Sequence, residues 1–251
     1  MRISVCIATY NGESYVEEQM RSILAQLGSE DELILSDDSS KDRTLEIVRG
    51  LSDPRVRVLA EGPNVGHVRN FERALKAASG DVIFLSDQDD VWLPDKVRDV
   101  MAVFISHPEA QMVHHALSTM DEQGRTLNPL WNHVPEGASG GWFFLLAQCL
   151  RCSMFGCAMA IRRELLEVLL PFPAAAYAHD HWLTVAAGMG AVEGIQQLNR
   201  PLVRYRQHRN NVTPRHGLSW RRRLSVRLDM LRMIATACAR VRRQANRDAS
   251  A

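Results

Sequence analysis

No apolar run in the sequence approaches the roughly 20 residues that a membrane-spanning helix needs. Met1 to Ile7 leads straight into strand-like sequence without a small-residue cleavage site, so no secretory signal is read and a cytoplasmic protein is expected. No G-x-G-x-x-G follows a strand-like run, which removes the usual dinucleotide-binding fingerprint. Cysteine is scarce and odd in number: Cys6, Cys149, Cys152, Cys157 and Cys238. Cys149-x-x-Cys152 lacks the second ligand pair of a structural zinc site, so buried reduced thiols are expected. Aromatic residues make up only 6% of the chain, and no base-stacking platform accompanies its arginines, which argues against nucleic acid.

What is present is a globular composition, 46% hydrophobic, with an uneven charge. From residue 215 onward ten arginines face two acids, Asp229 and Asp248; that +8, set against an overall +1, leaves the preceding body at −7. In this tail Trp220, Leu224, Leu228, Leu231, Ala235, Cys238 and Val241 recur at spacings of three and four, which predicts a basic amphipathic helix. Three destinations are open to it: the acidic body, an anionic membrane surface, or a second subunit. The chain divides into a body, 1–212, and a helical tail, 213–251.

In the body, strand-like and helix-like segments alternate. Strands are predicted over 2–9, 32–36, 56–59 and 81–86, and helices over 13–26, 41–51 and 68–78. This order specifies an α/β fold with a mostly parallel sheet flanked by helices. Strands are also predicted over 112–119, 157–161, 194–198 and 202–205, an irregular loop over 128–141, and helices over 164–170 and 180–188. Ligands of such sheets sit at the carboxyl ends of the strands. Here those ends read Thr9-Tyr10-Asn11-Gly12, Asp37-Asp38 and Asp87-Gln88-Asp89-Asp90. Three carboxylates on one strand end repel unless a cation joins them, and magnesium or manganese shares carboxylates with substrate phosphates. The plain alternative is a solvated turn in which Asp90 caps the next helix. His114 and His115 are adjacent on a strand, face opposite ways, and so do not share an ion.

Ser4-Val5-Cys6-Ile7-Ala8-Thr9-Tyr10-Asn11 and Ser36-Asp37-Asp38-Ser39-Ser40 resemble the opening motifs of family 2 glycosyltransferases. Asn64-Val65-Gly66, Gly80-Asp81, Asp87-Gln88-Asp89-Asp90, His179-Asp180-His181-Trp182 and Tyr205-Arg206-Gln207-His208-Arg209-Asn210-Asn211 continue the match in order. The later motifs are most similar to the rhamnosyltransferase-type branch. The resemblance implies a GT-A fold and an inverting, metal-dependent transfer from a nucleotide-diphosphate sugar, dTDP-L-rhamnose, to a saccharide or lipid-linked acceptor in cell-surface polysaccharide synthesis. By the same resemblance Thr9, Tyr10, Asn11, Glu13, Asp38, Arg69, Asp87 and Gln88 bind the donor. Asp89 and His208 hold Mn2+ or Mg2+, Asp180 is the general base, and Trp182, Gly156 and Cys157 meet the acceptor. Arg206 or Arg209 could meet diphosphate oxygens. The implied enzyme is a hexosyltransferase of the cytoplasm, with the inner face of the cytoplasmic membrane as an open alternative location. The rivals are a UDP-hexose or UDP-HexNAc transferase of the same fold, a sugar nucleotidyltransferase, and an inactive nucleotide-sugar-binding protein.

Overall fold

The computed structural model describes residues 1–59, 62–132, 134–150, 154–190, 194–209, 211 and 220–248. In chain order the elements are β1 (Ile3–Thr9), α1 (Val16–Leu24), β2 (Glu32–Asp37), α2 (Thr44–Gly50), β3 (Val56–Val58), α3 (His67–Ala77) and β4 (Val82–Asp87). There follow β5 (Val91–Trp92), α4 (Lys96–Ser106), β6 (Met112–Met120), β7 (Thr126–Asn128), β8 (Gly137–Ser139) and α5 (Gly141–Leu150). The rest is β9 (Met159–Arg162), α6 (Leu166–Leu169), α7 (His179–Gly190), β10 (Ile195–Arg206) and α8 (Trp220–Asp248).

The strands form one sheet in the order β3-β2-β1-β4-β9-β6-β10-β5, with β7 on β6 and β8 on β10. The first four strands in space are mutually parallel. β9 is antiparallel to both β4 and β6, and β10 is parallel to β6. The two reversals cancel, so β6 and β10 end on the same sheet edge as β1, β2 and β4. Strands β1, β2 and β4 are buried on both faces, which is why they read as apolar runs without alternation. Val5 and Ile7 pack with α1, α2 and α4, while Cys6 packs with α3, α5, α7 and α8. The result is a helix–sheet–helix sandwich.

Several expectations need correction. Helices α4 and α5 and the short β5 were not read from the sequence. The segments 194–198 and 202–205 form one strand, β10, whose register shifts around Pro201, where a ladder N–H is missing. The stretch 128–141 contains β8, and residues 156–158 form a 3₁₀ turn ahead of β9. Asp90 caps no helix: α4 begins at Lys96, after Asp95. Cys152 and the proposed 212/213 boundary lie outside the described residues.

The tail is helical, and the middle of the helix packs back on the body. Met230, Met233, Ile234 and Ala237 are buried there, whereas Trp220, Leu224, Leu228 and Leu231 of the predicted stripe are exposed. Arg240 donates to the Val168, Leu169 and Pro171 carbonyls at 2.6, 3.0 and 2.7 Å.

Two predictions concern stability. A Cβ at Gly80 would stand 2.6 Å from Ser4 N and 2.7 Å from Ile3 C, both backbone atoms with nowhere to go. Gly80→Ala is expected to cost about 2 kcal/mol or more, read as a lowered denaturation midpoint. Burial also pushes His114 down to about 3 and His179 down to about 4. Unfolded histidine protonates near 6.5, so the stability gained by keeping these rings neutral is complete above that pH and declines as pH falls toward 4. Melting temperature should drop across this interval, and His179→Gln should flatten the slope by up to about 1.4 kcal/mol per pH unit. An unchanged slope in the variant would contradict the assignment.

Candidate active site

The loops at the shared sheet edge are knitted together mostly by their own backbone amides. Thr9 Oγ1 donates to Asp37 Oδ1 at 2.8 Å, and the Ser40 hydroxyl donates to the same oxygen at 2.6 Å. The Asn11 N–H reaches Ser40 Oγ, and Asn11 Oδ1 accepts from the Lys41 N–H, both at 2.8 Å. Glu13 accepts from the Arg43 N–H at 3.1 Å. The Tyr10 backbone exchanges two bonds with the Gln88 amide, at 2.8 and 3.0 Å. The Tyr10 ring is left exposed at the rim. Asp38 is buried, and its two oxygens accept from the Val65 and Gly66 N–H groups at 2.7 and 2.8 Å. A carboxylate there satisfies orphan donors at the start of α3 and complements its dipole. Arg69 bonds Glu72 and the Phe172 carbonyl.

The acid cluster lies at the end of β4. Burial, with the nearby charges of Asp89 and Asp180, pushes Asp87 up to about 7. Asp89 Oδ2 stands 2.7 Å from His208 Nε2. Asp90 is fully buried; its Oδ1 accepts the Arg206 N–H at 3.0 Å, and it faces the Cys157 thiol. One ligand-capable atom each from Asp87, Asp90 and Cys157 fall within 4.8 Å of one another. Lys96 is buried beside them, its Nζ donating to the Cys157 carbonyl at 2.7 Å and lying 4.0 Å from the Trp92 ring centre. Burial pulls this ammonium down to about 7, against the opposing pull of Asp90 and Asp87.

Asp180 starts α7 on the other side of this edge. Its Oδ1 accepts the His181 N–H at 2.7 Å, and 22% of its side chain is exposed. Its charge acts on Asp87, and on His67, which Asp38 also influences. Asp38, His67, Asp180, Asp87, Asp89 and His208 thus form one electrostatic neighbourhood, as three converging strand-end loops require. His179 stacks on Phe71 with ring centres 3.9 Å apart. It comes so close to Gly156 that a Cβ there would lie 2.2 Å from Nε2.

Three sequence-based assignments change. Trp182 has no exposed face for a sugar to stack on: it is 0% exposed and its indole N–H donates to the Leu169 carbonyl at 3.0 Å. Arg206 is not available to a diphosphate. It is buried, donates to the Asp89 and Glu122 carbonyls at 2.8 and 3.0 Å, pairs with Glu18, and covers the Tyr15 ring. Arg209 is exposed. Cys157 is buried, with its carbonyl taken by Lys96, and so packs rather than greets an acceptor. Two site residues escaped the sequence reading. Gln19 is buried on α1 and donates to Ser86 Oγ at 2.6 Å and the Asp87 carbonyl at 3.1 Å. Lys96 is the other. Each had a signal: Gln19 shares the stripe of Val16, Met20 and Ile23, and Lys96 that of Val100 and Phe104.

Among known proteins, the chain is 38% identical over 102 residues to the dTDP-rhamnosyl transferase RfbG of Shigella flexneri, covering 38% of this chain and 35% of that one. It spans about a third to about half of the length of the curated relatives it matches first. In fold it is similar to Staphylococcus aureus TarS 1–349 in complex with UDP-GlcNAc, with TM-score 0.70 and 22% identity over 94% of this chain and 66% of that one. It is also similar to Mycobacterium tuberculosis glucosyl-3-phosphoglycerate synthase in complex with Mn2+, UDP and glucosyl-3-phosphoglycerate, with TM-score 0.58 and 19% identity over 95% of this chain and 80% of that one. The sheet with its flanking helices is the GT-A fold of these neighbours. Because residues 4–170 match the sequence profile of Glycosyl transferase family 2, the chain belongs to that family.

Proposed function

We propose that this protein is an inverting, metal-dependent glycosyltransferase that moves L-rhamnose from dTDP-L-rhamnose to a hydroxyl of a saccharide or lipid-linked acceptor in polysaccharide synthesis. The observation that carries the reading is that the Asp180 charge acts on Asp87, which lies on the same strand-end loop as Asp89 of the Asp89–His208 pair. The rhamnosyl donor rests on the similarity to RfbG. The complexes of the neighbours with UDP-GlcNAc, and with Mn2+ and UDP, support a nucleotide sugar and a divalent cation in general.

The donor set fits such a cation. An Asp89 oxygen and the His208 Nε2, already 2.7 Å apart, are the oxygen and imidazole ligands that Mn2+ accepts, and Asp87 is at hand. When bound, the ion would neutralise charge developing on the leaving diphosphate. The chain's own residues do the rest. The pre-bonded loops Thr9–Gly12 and Asp37–Thr44, with Glu13 and Gln88, offer a rigid cradle for base and ribose, which limits the entropy lost on binding. Asp38 holds the start of α3 against that cradle. Asp180, a carboxylate reachable from solvent, takes the acceptor hydroxyl's proton as its oxygen attacks the sugar carbon opposite the departing diphosphate. Gly156 and His179 set the floor on the acceptor side.

Asp180→Asn should lower transfer by about a thousandfold, in the range of a lost general base, with donor affinity unchanged in calorimetry. Loss of donor affinity instead would make Asp180 part of the donor site. Chelation by EDTA should abolish transfer and added Mn2+ restore it. His208→Ala should raise the Mn2+ needed by at least about tenfold, since even groups behind a metal's ligands matter that much. Activity indifferent to chelation would overturn the metal assignment. A thermal-shift panel of nucleotide sugars separates the donors: the largest shift with dTDP-L-rhamnose supports rhamnosyl transfer, and the largest with a UDP-sugar refutes it.

A further inference from the structure

Only part of α8 is used by the fold. Met230, Met233, Ile234 and Ala237 point into the core, and the helix is pinned there by Arg240 and by the Gln244 amide donating to Glu167 at 3.0 Å. The N-terminal half carries a second apolar stripe, Trp220, Leu224, Leu228 and Leu231, exposed at 71, 52, 48 and 51%. At 100° per residue this stripe sits about 120° around the helix from the packed face, so one helix cannot bury both against the same body.

Three arginines border the stripe, while Arg222 falls on the far side with Asp229. On the helical wheel Arg221 and Arg232 flank it on one side and Arg227 on the other. The one acid of this half, Asp229, falls on the far side and is paired with Arg232 at 3.0 Å. Helix α5 packs against α8 and is uncharged over its whole length, Gly141–Leu150. It too exposes large apolar groups: Trp142, Phe143 and Leu146 at 55, 91 and 52%. Monomeric surfaces rarely gather this much exposed apolar side chain without a use for it.

We propose that this face, the N-terminal half of α8 with the exposed side of α5, docks on an anionic lipid surface. The chemistry selects that occupant. Leucine and phenylalanine enter the acyl boundary, indoles settle at headgroup level, and arginines reach out beside them to lipid phosphates. A second copy of the chain is a poor match, because facing stripes would set arginine rim against arginine rim. The body, at −7 against the tail's +8, is repelled by the same membrane, so docking is confined to this face and orients the enzyme. No helix among the described residues is long and apolar enough to cross a membrane, so the contact is with its surface.

The test is co-sedimentation of the full chain with vesicles of phosphatidylcholine alone and vesicles rich in phosphatidylglycerol. Binding is expected only to the anionic vesicles, weakened by high salt. The double substitution Leu224→Glu, Leu228→Glu should reduce partitioning at least about tenfold, since each charge near such a surface is worth about fivefold. Ile105→Glu, an exposed apolar position on α4, should leave it unchanged. Should the double variant fail to fold, Phe143→Ser, at the most exposed apolar side chain, carries the same expectation. No partitioning, equal binding to both vesicle types, or variants that bind like the parent would each overturn the proposal. So would a dimer in solution that the double substitution dissociates, which would assign the face to a second copy.

Discussion

The site depends on how the end of β10 is tied to the end of β4. Arg206 does this with its backbone N–H on Asp90 Oδ1 and its guanidinium on the Asp89 and Glu122 carbonyls and on Glu18. The same tie delivers His208, two residues on, to Asp89. It is possible only because β9 runs antiparallel between two parallel groups and turns β6 and β10 back to the working edge. Without that reversal Asp89 and His208 would stand at opposite ends of the sheet.

Gathering Asp87, Asp89 and Asp90 there has a definite cost. Two carboxylates about 5 Å apart, in an effective dielectric of about 20, repel by about 3 kcal/mol, a large share of the 5–15 kcal/mol that holds a domain together. The chain offsets this internally with the buried Lys96 side chain, whose charge opposes the Asp87 shift, and with the Arg206 backbone N–H on Asp90. Burial is the main cause of both the raised Asp87 and the lowered Lys96; neighbouring carboxylate charge adds to the first and opposes the second. The surrounding loops contribute rigidity: Asp37, Asp38 and Asn11 bond backbone N–H groups or neighbouring hydroxyls that would otherwise be unpartnered.

Much of this was legible in the residues. The alternation of apolar runs with helical stripes specified the α/β sandwich, and the polar endings at Thr9, Asp37 and Asp87 marked the working edge before any coordinates. Periodicity was weaker where a polar residue sat on a buried stripe. Gln19 and Lys96 occupy core-facing positions of α1 and α4, and a reading that counts only apolar residues passes over them. It was also weaker where two faces of one helix are apolar, as in α8.

The sequence alone determined most of the segments that form strands and helices and which strand ends carry acids, because spacing along the chain dictates which side chains share a face. Only the tertiary structure decided where those faces go. It put Trp182 inside instead of under a sugar, turned Arg206 inward as a strut, and packed one face of α8 while leaving the other to solvent. Periodicity gives the direction of a side chain relative to its own backbone; what it meets there depends on other segments, as Arg206 meets Asp89 from 117 residues away.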